Sequence, residues 1–142
     1  MSLENTIETE FAPFFQTFKE RAKQGDIAYL KSVISKDLAA RENRHGSIID
    51  YGYEESIEGW GQAFDFFADQ DMQWVYTDHS TIQLKVGEVM ATFWISLVLD
   101  GKKSETANLF VNTYQKDPMS GEWKLVRTYI EAGVENPTSI NA

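Results

Sequence analysis

One run in the last third of the chain constrains the fold more than any other. From Glu88 the residues Val89, Ala91, Phe93, Ile95, Leu97 and Leu99 fall on one side of an extended strand, and Met90, Thr92, Trp94, Ser96 and Val98 on the other. A strand with one wet face would alternate apolar and polar residues. Here both faces need cover. Helices can supply it on one side; a second subunit or a ligand must help on the other. The pattern predicts a homodimer formed through the outer sheet face, with a pocket on the inner one.

The rest of the chain supplies the helices. Ile7, Phe11, Phe14, Phe15, Phe18 and Ala22 recur at helical spacing. Pro13 lies inside this stretch, so the helix either starts near Ala12 after a short lead-in or bends there. Gly25 is a natural stop, and Asp26 a cap for a short second helix through Ile27, Leu30, Val33 and Ile34. Leu38 to Gly52 reads as one or two short strands turning at His45-Gly46. Glu54, Glu55 and Glu58 open a third helix, where acids complement the positive dipole end. Ile57, Trp60, Phe64 and Phe67 form its apolar face, and it ends near Ala68.

Strand-like runs follow at Met72 to Thr77, Thr81 to Val86, Glu88 to Leu99, Lys103 to Lys116 and Trp123 to Glu131. Asp100-Gly101 is a two-residue hairpin signal. Helices segregated from an antiparallel meander make an α+β fold. At 142 residues, 42% of them apolar, the chain is long enough for one domain with a real core. That domain spans residues 1–135, and 136–142 reads as a flexible tail.

Composition excludes several functions. With a net charge of −9 and no basic stripe, neither a nucleic-acid footprint nor binding to an anionic lipid surface is expected. The absence of cysteine removes disulfide and thiolate chemistry. Met1 to Glu4 lacks the character of a signal peptide, and no apolar run is long enough to cross a membrane. A cytoplasmic protein is the simplest reading. Two histidines without ligand-like spacing predict no metal site, and no phosphate loop or other cofactor motif is present.

The aromatic first helix, the Gly25-Asp26 break, the run Glu55-Ser56-Ile57 with Trp60 and Phe64, and the ending Gly121-Glu122-Trp123-Lys124-Leu125-Val126-Arg127 resemble the nuclear-transport-factor-2-like (NTF2-like) superfamily, including its SnoaL-like, polyketide-cyclase-like group. The resemblance covers about Phe11 to Val134. It implies an NTF2-like half-barrel of the cystatin-like type, with three N-terminal helices packed on a curved antiparallel sheet around a deep apolar pocket, and dimers packed sheet to sheet. The superfamily holds isomerases, dehydratases, cyclases, binding proteins and association domains, and fold alone does not choose among them.

Within that frame the candidate ligand-binding residues are Tyr51, Trp60, Phe64, Phe93, Asn112, Arg127 and Tyr129. The aromatic residues would line an apolar pocket. Asn112 is an amide needing partners. Strict alternation along the last strand would put Arg127 and Tyr129 on one face with Trp123 and Leu125, where the guanidinium would grip a carboxylate. The competing reading for Arg127 is an ion pair at the sheet rim. His45 and Asp50 are candidates for a general base and its orienting carboxylate, if a hairpin brings them together; the plainer reading is a surface histidine. Three functions follow: binding of a small, mainly apolar molecule, cofactor-independent isomerase, lyase or cyclase chemistry, or a dimeric association domain whose pocket its own side chains fill.

Overall fold

The structure, a computed structural model, describes residues 7–140. Met1 to Glu4 and the tail end Asn141 and Ala142 lie outside the described residues. A π-helical turn, Ile7–Phe11, leads into helix α1, Ala12–Lys23. Pro13 therefore sits in the first turn, where its missing N–H costs nothing. Helix α1 ends in a Schellman motif: the Asp26 N–H donates to the Arg21 carbonyl and the Gly25 N–H to the Ala22 carbonyl, each at 3.1 Å. Gly25 adopts φ +73°, which closes the motif. Asp26 then caps α2, Ile27–Val33, by accepting from the Tyr29 N–H at 3.0 Å.

Helix α3, Tyr53–Phe67, follows strands β1, Ile34–Arg44, and β2, Ser47–Tyr51. The Glu55 carboxylate accepts from the Gly52 N–H at 2.9 Å and secures the start of α3. The remaining strands are β3, Met72–Lys85, β4, Glu88–Leu99, β5, Lys102–Lys103, β6, Thr106–Lys116, and β7, Trp123–Glu135. The sheet runs β2-β1-β7-β6-β4-β3, with β5 on the edge of β4. All pairings are antiparallel except β1 with β7. The two β3 runs expected from the sequence are one strand. It slips register near His79, between the pairs Asp78 with Phe93 and Ser80 with Thr92.

The Asp100-Gly101 hairpin forms as expected, with φ +52° and +78° and the pair Leu99 with Lys102 closing it. The tail expected from Asn136 starts with an anchor: buried Asn136 donates to the Ser104 carbonyl at 2.8 Å, and Pro137–Ile140 makes one helical turn, α4.

Helix α1 lies on the sheet face that carries Val89, Ala91, Phe93, Asn112 and Tyr114. Phe11, Phe15 and Phe18 surround the Tyr114 ring at centroid distances of 5.3, 5.9 and 5.6 Å. Replacing Phe11 by alanine in such a core costs about 3–5 kcal/mol. The opposite sheet face has no helix upon it among the described residues. Its residues Val75, Met90, Trp94, Val98, Leu109 and Val111 remain half-exposed in the single chain.

Candidate functional site

The concave side of the sheet is occupied differently at its two ends. Toward α1 the aromatic rings close it. Asn112, 2% exposed, belongs to this closed end. Thr128 Oγ1 donates to Asn112 Oδ1, and Asn112 Nδ2 donates to the Tyr114 hydroxyl at 2.9 Å. The amide thus finds its partners inside the core. Burial pushes the Tyr114 phenol far up, so it stays neutral.

Toward α3 the packing is looser. Among the fifteen residues of α3 only Ser56 is buried, while Ile57, Trp60, Phe64 and Phe67 stay half-buried above the sheet. Below them runs a ladder of rings. Tyr76 stacks on Phe93 at 5.8 Å and 17°, Phe93 on Phe110 at 5.4 Å and 8°, and Phe110 faces Trp60 at 6.4 Å and 30°. Trp60 in turn meets Phe64 at 5.7 Å. The ladder follows from register: Phe93 pairs directly with Phe110, and Tyr76 with Ile95 beside them. Tyr76 and Phe110 complete a surface of which sequence alone marks only Trp60, Phe64 and Phe93. Their signal lies in cross-strand register, which a single sequence does not display.

Tyr51 pairs with Ala40, packs against the buried core, and also borders the groove that holds Arg41, Asp50 and Arg127. Burial, and secondarily the Glu42 carboxylate, pushes its phenol up to about 12. The hydroxyl is a neutral hydrogen-bond donor at physiological pH.

Arg127 and Tyr129 are not on the concave side. The pairs Tyr114 with Leu125 and Thr113 with Arg127 leave Val126 without a partner. This β-bulge inverts the alternation. Trp123 and Leu125 face the core with Thr128 and Ile130, while Arg127 and Tyr129 face outward. There they line a groove of about 590 Å³ with Arg41, Asp50, Val111 and Thr113. Arg127 Nη2 donates to Glu88 Oε1 at 2.8 Å, which is the ion pair of the competing reading, and the Tyr129 hydroxyl donates to Glu131.

His45 and Asp50 do not form a pair. His45 sits at the tip of the β1–β2 hairpin with φ +54°. Asp50 stands opposite Arg41, several rungs away, and accepts a two-pronged hydrogen bond from that guanidinium at 2.6 and 2.9 Å. Arg41 holds the Asp50 carboxyl below its ordinary range. A carboxylate so engaged does not orient an imidazole at the far end of the hairpin. Among the described residues no three metal-ligating side chains cluster.

Known structures share this architecture. An NTF2-like protein of unknown function from Silicibacter pomeroyi superposes with a TM-score of 0.64 at 15% identity, covering 93% of this chain and 99% of that one. A cystatin-like-fold protein of unknown function from Nostoc punctiforme gives 0.66 at 19%, covering 97% and 99%. This chain has the NTF2-like, cystatin-like α+β fold. Aln2 from a Streptomyces species shares that fold with a TM-score of 0.69, 15% identity and 93% coverage of each chain. No protein-family model and no curated protein sequence matches the chain. No helix among the described residues is long and apolar enough to cross a membrane.

Proposed function

We propose that this NTF2-like protein binds a small, mainly apolar molecule in the cleft between α3 and the concave sheet face. The observation that carries the proposal is the aromatic stripe of α3. It faces the stacked rings of Tyr76, Phe93 and Phe110 yet stays half-exposed. A helix serving only the core would bury that stripe. Walls that are mainly apolar and aromatic make a common form of ligand site.

Cyclase, isomerase or lyase chemistry on the same fold would need an acid or base in the cleft. Among the described residues the carboxyls with displaced titration are Asp26, Asp50 and Glu88, and each is engaged by its own donors, Tyr29 and Arg21, Arg41, and Gln115 and Arg127 respectively. Binding is therefore the better supported reading. The half-exposed outer face supports a second component, a homodimer in which two copies cover each other's Trp94 and Val111.

The test is a titration with the neutral apolar fluorophore Nile red. Saturable binding at one probe per chain is expected, with Trp60→Ala weakening it about tenfold and shifting the melting temperature little. Absence of saturable binding, or an affinity indifferent to Trp60→Ala, would overturn the proposal.

A further inference from the structure

At the opposite end of the molecule from the β1–β2 turn, the end of α2, the start of β1 and the β6–β7 turn enclose a second concavity of about 780 Å³. It is within the usual size range of ligand pockets. Phe14, Tyr29 and Trp123 line it together with Lys31, Lys36 and Lys124. Neither its residues nor its position overlap the cleft under α3.

Its electrostatics depart from those of the rest of the surface. Carboxylates outnumber bases 22 to 13, so a base without an acidic partner is the less expected outcome. Among the described residues seven bases form ion pairs: Lys19, Arg21, Arg41, Arg44, Lys85, Lys116 and Arg127. Three of the remaining six gather around this one groove. Lys124 is held there by a hydrogen bond from its ammonium to the Ser32 carbonyl at 2.6 Å, a neutral partner, and forms no ion pair among the described residues. The one carboxylate in the lining, Glu122, forms no ion pair among the described residues. The groove therefore carries two more positive than negative charges on a protein of net −9. Its aromatic wall adds stacking surface for a ring.

We infer that this groove is a binding site for a small organic anion carrying an aromatic ring, the acid group met by Lys31, Lys36 and Lys124 and the ring by Phe14 and Tyr29. Ammonium groups suit a compact carboxylate, sulfonate or phosphate equally, as point charges. Because two of the three lysines are exposed, the attraction weakens as salt rises.

The experiment uses the full chain, labelled for amide NMR, with 1-naphthoate as the anion and 1-naphthalenemethanol as its neutral counterpart. Naphthoate is expected to shift the amides of residues 32–36 and 121–124 and the Trp123 indole N–H. The alcohol should bind there at least tenfold more weakly. Lys31→Glu with Lys36→Glu should cut naphthoate affinity at least tenfold without lowering the melting temperature, and should leave Nile red binding under α3 unchanged. The inference is overturned if naphthoate shifts only amides around Tyr51, Trp60 and Phe110, if the double variant binds it like the parent, or if millimolar naphthoate shifts nothing.

Discussion

Arg127 on β7 reaches across β6 to Glu88 on β4, and the carboxylate it meets is only 7% exposed. Gln115, the β6 residue paired with Glu88, donates to the other carboxylate oxygen at 2.7 Å. The acid that begins the central strand is thus satisfied on both oxygens. Without those donors a buried charge at this position would strongly oppose folding.

That arrangement fixes a pH dependence. The Gln115 hydrogen bond first, and then that of Arg127, hold the Glu88 carboxyl below its ordinary range against the opposing effect of burial. A depressed carboxyl contributes stability that is present above the unfolded value, about 4.3, and is lost as pH falls through the folded value. Glu88→Gln should therefore melt below the parent at pH 7, and the gap should narrow toward pH 3. Thermal melts of both proteins across that range check it; a gap indifferent to pH would contradict it. Arg127→Ala should cost about 1–3 kcal/mol, the usual consequence of depriving a buried acceptor.

The Thr128–Asn112–Tyr114 chain predicts a non-additive pair. Thr128→Val strips the donor from an Asn112 oxygen that solvent does not reach, at a cost of about 1–3 kcal/mol. In Asn112→Leu with Thr128→Val both polar groups are gone, and the double variant should lose less than the sum of the singles. Denaturant titration of the four proteins measures the coupling. Strict additivity would mean that the two side chains act independently.

Elements with local causes are legible in the sequence. Helix α1, the Gly25 stop, the Asp26 cap and the Asp100-Gly101 turn each follow from a few adjacent residues. The two apolar faces of β4 are legible for the same reason. Three features are not. The parallel pairing of β1 with β7 joins segments far apart in the chain, as in the pairs Ile34 with Leu125 and Arg44 with Ala132. The ring ladder depends on cross-strand register. The bulge at Val126 leaves no mark in a run of alternating residues, so strict alternation assigns Arg127 and Tyr129 to the concave face. A single unpaired residue exchanges the two faces of everything after it.

The outer face predicts an assembly. Val111 is half-exposed there, paired with Thr92 on one side and Tyr129 on the other. In a two-fold pairing the same patch meets itself, so one substitution acts twice. Val111→Glu should convert a dimer to monomers in analytical ultracentrifugation while the concave side keeps its Nile red affinity. A parent protein that sediments as a monomer at high concentration, or a variant that still dimerises, would count against pairing through this face.

The bulge itself can be tested by removing it. Val126 is the extra residue, so its deletion joins Leu125, which faces the core, directly to Arg127, which faces outward, and the pairs with Tyr114 and Thr113 follow one another without interruption. Every side chain then keeps its face, and Ile130, now 7% exposed, stays in the core. Deletion of Val126 should therefore preserve a cooperative melt. Val126→Ala, which keeps the residue count at a half-exposed, unpaired position, should cost about 1 kcal/mol or less. Circular dichroism melts of the two variants separate the effect of length from that of side chain. A deletion variant without a cooperative melt would show that β7 needs the extra residue for its pairing with β6.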